Sequence, residues 1–161
     1  MADTLPNQTE LLTFDVDETR LGIRSEDITS VVRAVAVEPL PGAPPVVVGA
    51  INVRGAIVAV VDLRVLFGRR PPAVRPSEYF LLARAGERTV AVRADGAPEI
   101  VAIDDLAVTP IDDLAAGVEP IAGAARTADG LVVVFDLDAL LSEAEAIDLD
   151  RVLERMGAGD E

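Results

Sequence analysis

The sequence predicts an all-β fold built from two copies of one small β unit. Short apolar segments alternate with polar residues at a period of two, which is typical of half-buried strands. Glycine-containing turns separate these segments, and part of the pattern recurs in the second half of the chain. Half of the 161 residues are hydrophobic, so the chain can bury a core of its own.

The first predicted hairpin covers residues 11–24, LLTFDVDETRLGIR. Leu12 and Phe14 alternate on one strand, and Leu21 and Ile23 alternate on the next. The acidic residues between them are suited to an exposed turn. We therefore expect two short antiparallel strands here.

The next stretch, SEDITSVV, predicts a single helical turn. Ser25 is a residue type that favours the N-cap position. One face of the turn would carry Ile28, Val31 and Val32. Residues 32–41 alternate again and end in a proline-rich loop.

The segment PVVVGAINVRG predicts an apolar stretch, about one helical turn long, that leads into a strand. A tight turn follows at Arg54-Gly55, and AIVAVVDL is a buried strand by composition. Asp62, at the end of this strand, can cap the backbone N–H groups of a short helix. Residues 69–78 contain three prolines and predict a surface connection.

The second half predicts two further hairpins and a helix. Residues 79–103 form one hairpin with its turn at Ala85-Gly86-Glu87, and residues 119–141 form another with an Asp129-Gly130 turn. From Asp138 to about Met156, apolar residues recur at roughly helical spacing.

An internal repeat relates the two halves. GAINVRGAIVAVVDLRVLFG aligns without gaps with GAARTADGLVVVFDLDALLS, which places Asp62 on Asp136. The first hairpins also align, with Leu21 on Val90 and Ile23 on Val92. Each unit has about five strands and ends in a short helical turn. Because so short a unit buries little core alone, the two units are expected to share one.

The charge of the chain restricts its partners. The net charge is −14, and all fourteen basic residues are arginine. Such a surface disfavours both nucleic acid and anionic lipid. The longest uncharged run, residues 39–53, is too short to span a membrane and contains four prolines. The lack of lysine has two interpretations, adaptation to a saline cytoplasm or GC-rich codon usage.

The residue types available for catalysis are few. The chain has no His, Cys or Lys, which removes the commonest general base, the thiol nucleophile and most transition-metal ligands. The carboxylate pairs Asp104-Asp105 and Asp112-Asp113 could bind a hard cation or act as acid and base, or they could be solvated turns. We predict no catalytic residue, no metal site and no cofactor, and the absence of Cys fits a cytoplasmic location.

One segment resembles a known family. VVVGAINVRGAIVAVVDLRVLFG is similar to the signature of the CheW-like domain family, which reads approximately G-[VI]-[IV]-N-L-R-G-x-[IV]-[IVL]-P-[VI]-[VI]-D-L-R. The positions that match are Gly49, Asn52, Arg54, Gly55, Asp62, Leu63 and Arg64. The resemblance extends over about residues 10–142.

The resemblance implies an architecture. The family fold is two intertwined five-stranded SH3-like barrels, here with short helical turns and a C-terminal helix. It divides the chain into a flexible N-terminus at 1–9, the CheW-like domain at 10–142, and a C-terminal helix and tail at 143–161. Within the domain, the first barrel would cover about 15–70 and the second about 79–142, with strands partly exchanged.

The resemblance also implies a function. Family members are not enzymes but adaptors that join the cytoplasmic tip of chemoreceptors to the regulatory domain of a CheA-type histidine kinase. The protein is then expected in the cytoplasm, recruited to membrane-associated receptor arrays without inserting into the membrane. Two alternatives stay open: a coupler for an array that controls pili or gene expression, and a carboxylate-dependent hydrolase or metal enzyme.

The candidate site follows from both arguments. An arginine at a glycine-flanked turn presents a fork of donors to a partner, although Arg54 could instead bind Asp62 or a backbone carbonyl of its own chain. The apolar candidates could equally be core residues. The predicted partner-binding residues are Ile28, Val31, Gly49, Asn52, Arg54, Gly55 and Ile100, and the predicted structural caps are Asp62 and Asp136.

The sequence departs from the family pattern at three places. Ala59 stands where the signature usually has proline, and Ser30 stands where an acidic residue is frequent. Residues 93–97, RADGA, depart from the usual VDxV pattern of the second half. The resemblance therefore assigns partner contacts more strongly to the first barrel than to the second.

Overall fold

A computed structural model describes residues 8–104, 108–109, 121–128 and 130–159. These residues form two β-sheets, three 3-10 turns and one α-helix. The strands of the first half are β1 (Gln8–Val16), β2 (Thr19–Arg24), β3 (Ile28–Arg33), β4 (Val47–Val53) and β5 (Ala56–Val61). Those of the second half are β6 (Tyr79–Ala85), β7 (Arg88–Ala94), β8 (Glu99–Asp104), β9 (Val108–Thr109), β10 (Ile121–Thr127) and β11 (Gly130–Phe135).

The helical elements end the two units and the chain. The 3-10 turns are Ser25–Asp27, Leu63–Phe67 and Leu137–Ala139, and α1 is Glu143–Gly159. A capping box starts α1: Ser142 Oγ accepts from Glu145 N at 3.1 Å, and Glu145 Oε1 accepts from Ser142 N at 3.0 Å. The helix anchors itself by burying Leu149 and Val152 in the core.

The two halves of the chain exchange their first hairpins. One sheet has the order β3-β6-β7-β5-β4, and the other has the order β8-β1-β2-β11-β10-β9. The hairpin β1–β2 of the first half therefore lies among strands of the second half, and β6–β7 lies among strands of the first. The prediction of an all-β fold of two intertwined five-stranded SH3-like barrels, with short helical turns and a C-terminal helix, is confirmed; the second sheet gains the short strand β9.

The strand register reproduces the sequence repeat. In the parallel pair β5–β7, Ala59 faces Val90, and in the parallel pair β11–β2, Val133 faces Leu21. These two pairs correspond, because the repeat aligns Ala59 with Val133 and Leu21 with Val90. We call two residues that this repeat aligns repeat equivalents. Both units also carry a bulge at the same place, before Gly49 in β4 and before its repeat equivalent in β10.

Three apolar clusters make up the core. The main cluster lies between the sheets and takes residues from both halves, among them Phe14, Leu81 and Phe135. A first interior cluster, inside the first barrel, consists of Ile51, Val58, Val60, Phe80, Leu82 and Ala91. A second interior cluster, inside the second barrel, consists of Leu11, Ile103, Ala125, Val132 and Val134.

Four local predictions differ from the structure. SEDITSVV is a 3-10 turn that ends at Asp27, after which Ile28 begins β3. The predicted strand over 32–41 ends at Arg33 and continues only as an isolated bridge between Glu38 and Ala50. Gln8 and Thr9, assigned to a flexible N-terminus, belong to β1. The helical spacing noted from Asp138 covers two elements, because Leu137–Ala139 is a separate 3-10 turn and α1 starts only at Glu143, where the family division had placed it.

Candidate partner-binding surface

The turn between β4 and β5 is a two-residue hairpin loop. Val53 pairs with Ala56, and the two residues between them both have positive φ, 52° at Arg54 and 88° at Gly55. A loop with positive φ at both central positions is the type I′ turn, which matches the right-handed twist of the flanking strands. Gly55 adopts this conformation freely, whereas an arginine does so at a cost.

Asn52 stabilises this turn from the strand end. Its Oδ1 accepts a hydrogen bond from Gly55 N at 2.8 Å, so the side chain satisfies a backbone donor within the loop. Arg54 is exposed beside it. Within the ranges that the structure describes, no ion pair or side-chain hydrogen bond holds the Arg54 guanidinium. The proposed internal partner, Asp62, is engaged by other arginines.

Gly49 lies in the interior rather than at the surface. Its backbone passes so close to the bridging segment that a Cβ would lie 2.4 Å from Glu38 O and 2.4 Å from Val37 Cγ1. Two hydrogen bonds, between Glu38 N and Ala50 O at 2.9 Å and between Ala50 N and Glu38 O at 2.8 Å, hold this approach. Gly49 therefore supports the strand that carries the turn. Its burial indicates this structural role rather than the expected contact with a partner.

The three apolar candidates lie at the edges of the sheets. Ile28 is half-buried against the main core, whereas Val31 and Ile100 are 40 % and 65 % exposed. Val31 faces Leu81 in β6, and Ile100 faces Leu12 in β1, so the two exposed residues are repeat equivalents. They lie on the edge strands of different sheets. The structure thus gives each barrel one exposed apolar edge position.

At the other end of β5 from the turn, the chain forms a buried ion cluster that the sequence analysis did not find. Asp62, Arg64, Glu78 and Arg93 are all at most 3 % exposed. Asp62 Oδ2 accepts from Arg64 Nη1 at 2.9 Å and from Arg93 Nη1 at 3.0 Å. Glu78 Oε1 accepts from Arg93 Nε at 3.0 Å. Two carboxylates and two guanidiniums balance one another, which is what makes burial of four charges tolerable.

The cap predicted at Asp62 is part of the same cluster. Asp62 Oδ1 accepts from Arg64 N at 2.9 Å and so caps the 3-10 turn Leu63–Phe67, while Oδ2 binds the two arginines. Its repeat equivalent, Asp136, accepts from Asp138 N at 3.1 Å and is exposed. The same local sequence therefore ends in a buried, ion-paired aspartate in the first unit and in an exposed capping aspartate in the second.

The cluster reaches the surface through Asp17 and Asp95. Arg64 Nε donates to Asp17 Oδ1 at 2.9 Å, Arg64 Nη2 donates to Asp95, and Arg69 Nη1 donates to Asp17 Oδ2 at 3.1 Å. The hydrogen bond from Arg64 holds the pKa of Asp17 below its usual value against the opposing effect of burial. Burial acts to lower the pKa of Arg64, but its bonds to Asp17 and Asp95 raise that pKa overall.

A sequence signal for this cluster existed. Arg64 stands in the D-L-R of the signature, two residues after Asp62, and Arg93 interrupts an otherwise apolar strand in TVAVRADGA. A charge inside a buried strand requires a buried partner. The departure from the family pattern at residues 93–97 therefore includes Arg93, an arginine with a structural role.

The structure describes only one residue of the carboxylate pairs Asp104-Asp105 and Asp112-Asp113. Asp104 ends β8, while Asp105, Asp112 and Asp113 lie outside the described residues. Among the residues that are described, no group of three or more acidic side chains is arranged to hold a metal ion. No helix in the described ranges is both long and apolar enough to cross a membrane.

Known proteins are similar to this chain in sequence. A family model described as the CheW-like domain matches residues 10–145. Chemotaxis protein CheW of Klebsiella aerogenes is 23% identical over 145 residues, covering 89% of this chain and 87% of that protein. Chemotaxis protein CheW of Treponema pallidum is 26% identical over 144 residues, covering 86% and 85%.

A solved structure shares the architecture. The crystal structure of scaffolding protein TtCheW from Thermoanaerobacter tengcongensis superposes with a TM-score of 0.75 at 22% identity, covering 85% of this chain and 94% of that one. The likeness therefore extends over most of both chains. With the signature at the β4–β5 turn and a family match over most of its length, the chain belongs to the CheW-like domain family.

Proposed function

We propose that the protein is a non-catalytic adaptor that couples the cytoplasmic tip of chemoreceptors to the regulatory domain of a CheA-type histidine kinase. The observation that carries the proposal is the β4–β5 turn, where Asn52 fixes the loop and Arg54 extends from it without a partner in the described residues. The family match and the names of the relatives support a role in chemotaxis.

The turn is suited to a protein partner. A guanidinium offers five N–H donors in a fixed fork, and a rigid loop presents them without first having to be ordered. Helical receptor tips and kinase domains offer carboxylates and free carbonyls that can accept such donors. The exposed Val31 and Ile100 add apolar surface on each barrel, which a helical or edge-strand partner could cover.

The location follows from the same proposal. The protein would act in the cytoplasm and reach the membrane only through the receptors of an array. Because its own net charge of −14 repels anionic lipid, recruitment depends on protein contacts rather than on lipid. Several weak interfaces joined in one array suffice for stable recruitment.

Co-sedimentation tests the proposal directly. Receptor-bearing membranes and the cognate CheA-type kinase are mixed with and without the protein, at low salt and at molar salt, and the pellet is assayed for kinase. We expect the kinase to pellet only when the protein is present. If the kinase pellets equally without the protein, or never follows it at either salt concentration, the adaptor proposal is wrong. A preference for molar salt would support the saline interpretation of the missing lysine.

A further inference from the structure

Each exchanged hairpin has a two-residue loop at its tip, and both loops dock on a 3-10 turn. Hairpin β1–β2 turns at Asp17, and hairpin β6–β7 turns at the repeat equivalent, Gly86. Asp17 Oδ1 accepts from Arg64 Nε at 2.9 Å, in the 3-10 turn after β5. Gly86 N donates to Asp138 Oδ1 at 2.8 Å, in the 3-10 turn after β11. Arg64 and Asp138 are also repeat equivalents, so the two halves form the same docking contact.

The two docking contacts have opposite polarity. In the first, the 3-10 turn supplies a guanidinium and the hairpin tip supplies a carboxylate, which also accepts from Arg69 Nη1 at 3.1 Å. In the second, the 3-10 turn supplies the carboxylate and the hairpin tip supplies a backbone N–H. If the two hairpins changed places, the carboxylate of Asp17 would lie on that of Asp138. Gly86 would offer Arg64 no acceptor side chain. Each tip therefore matches only its own 3-10 turn.

The bases of the two hairpins also differ in charge. Arg93 in β7 and Glu78, directly before β6, bring one charge of each sign into the buried ion cluster. Their repeat equivalents in β1–β2 are Arg24 and Thr9, which would bring a positive charge alone. The carboxylate at the base of β6–β7 therefore distinguishes this hairpin from the other.

Of the two possible arrangements, only the exchanged one balances the buried charges. The buried ion cluster contains two carboxylates and two guanidiniums, all at most 3 % exposed. With β1–β2 in place of β6–β7, it would contain two guanidiniums and one carboxylate. At the end of β11, Glu78 and Arg93 would then join Asp136 and Asp138, which gives three carboxylates and one guanidinium. An uncompensated buried charge and a group of like charges are both destabilising, so the unexchanged arrangement is disfavoured at both places.

Apolar packing distinguishes the two hairpins less. Both present aliphatic residues to the main cluster at equivalent positions, Leu21 and Ile23 in one hairpin and Val90 and Val92 in the other. Hydrophobic burial is non-directional, so at these positions it favours either hairpin in either sheet. The choice between the sheets then depends on the polar contacts.

We propose that the carboxylates of Asp17 and Glu78 assign each hairpin to its sheet and so fix the exchanged fold. The repeat equivalents of these two residues are the uncharged Gly86 and Thr9, whereas arginine stands at both positions 24 and 93. Charged groups can select one arrangement among similar ones because the wrong arrangement leaves them unpaired. The assignment goes beyond the adaptor function and does not depend on it.

Moving the two carboxylates to the other hairpin tests the proposal in the full-length chain. The moved-charge variant, which combines Thr9→Glu, Asp17→Gly, Glu78→Thr and Gly86→Asp, keeps the amino-acid composition and reverses the assignment. We expect most of its molecules to adopt the unexchanged arrangement.

Nuclear Overhauser contacts between backbone protons of facing strands distinguish the two arrangements. Val60 faces Ala91 in the parallel pair β5–β7, and without exchange it would face Gly22, the repeat equivalent of Ala91. In the moved-charge variant, contacts between Val60 and Gly22 should replace those between Val60 and Ala91. The control, Ile23→Val with Val92→Ile, trades aliphatic residues between the hairpins and should keep the exchanged contacts. Exchanged contacts in most molecules of the moved-charge variant would overturn the proposal.

The contact at the hairpin tip decides the case in which the moved-charge variant does not fold. Gly86→Asp places a carboxylate on Asp138, so the urea midpoint should fall. Adding Asp138→Arg recreates there the contact that Asp17 makes with Arg64, and it should raise the midpoint more than Asp138→Arg does in the otherwise unchanged protein. Equal effects of Asp138→Arg in the two backgrounds would overturn the proposal, because the tip would then not discriminate between the charges of the two 3-10 turns.

Discussion

At the scale of single residues, Arg54 stands in a conformation that most residue types avoid. A left-handed φ costs a non-glycine residue about 1–2 kcal/mol, and asparagine, aspartate and glycine fit a type I′ turn better. The turn itself therefore gives no reason to place an arginine there. We propose that the guanidinium acts outside the hairpin, which agrees with its exposure and with its lack of a partner in the described ranges.

Replacing Arg54 should weaken partner binding without weakening the fold. We expect Arg54→Ala to lower affinity for the receptor tip or the kinase regulatory domain about 10-fold or more, since a charge-assisted hydrogen bond contributes about 1.5–3 kcal/mol. Titration calorimetry measures the affinity, and a melting curve checks the fold. Arg126→Ala is the matched control, because it removes an exposed arginine from the equivalent hairpin of the second barrel. Unchanged binding with an unchanged melting curve would contradict the assignment.

The buried ion cluster gives a second prediction at this scale. Arg93→Met leaves Asp62 and Glu78 in the interior without their shared cation, which should lower the free energy of unfolding by about 3–5 kcal/mol. Its repeat equivalent provides the control: Arg24→Met removes a half-exposed side chain and should cost no more than about 0.5 kcal/mol. Urea unfolding measures both values. Similar costs for the two variants would show that the cluster has no special structural role.

At the scale of elements, the sequence predicted the hairpins better than the segments between them. Alternating apolar residues and the glycine turns identified β1–β2, β4–β5, β6–β7 and β10–β11, since each hairpin contains its own local signal. SEDITSVV was assigned to a helical turn because Ile28, Val31 and Val32 fit helical spacing. In the structure, pairing with β6 makes Ile28–Arg33 a strand, and no local signal reports that distant partner.

In the candidate binding surface, too, local features were predicted better than long-range contacts. The turn at Arg54-Gly55 and the cap at Asp62 are encoded within a few residues, and the sequence pointed to both positions. The partnership of Asp62 with Arg93 joins residues that are 31 positions apart and requires the exchanged hairpin. The burial of Gly49 depends on the bridge to Glu38, which sequence reading did not find. Local chemistry was predictable, and long-range pairing of charges was not.

A glycine substitution tests how tightly β4 is held. Gly49→Ala introduces a Cβ 2.4 Å from the backbone oxygen of Glu38, so the bridging segment must move and strain its two hydrogen bonds. We expect a loss of about 1–3 kcal/mol in unfolding free energy. Gly96→Ala is the matched control, because its Cβ would meet nothing within 4 Å and Gly96 is not among the positive-φ residues. If both variants unfold at the same urea concentration, the close approach is not what requires glycine at position 49.

At the scale of the whole molecule, we expect the exchange of hairpins to make the two barrels one cooperative unit. The β1 residues Leu11 to Phe14 are all buried, because one face of the strand lines the second barrel and the other faces the main cluster. A first half folded alone would leave one of these faces in water. In the other exchanged hairpin, Arg93 of β7 binds both Asp62 at the end of β5 and Pro72 O in the connection, which ties β6–β7 to the first half.

Dividing the chain should therefore abolish folding of each part. We expect fragments 1–70 and 71–161 to be unfolded separately, since each loses the strands that pair with its hairpin, and to regain the native β signal when mixed in equal amounts. Circular dichroism and size-exclusion chromatography measure both outcomes. The control is the intact chain cut between Arg70 and Pro71 after folding, which should remain associated because the break lies in a surface connection. Cooperative unfolding of fragment 1–70 alone would contradict this argument, since β1–β2 would then have closed a barrel with β3, β4 and β5 and the exchange would not be required for stability.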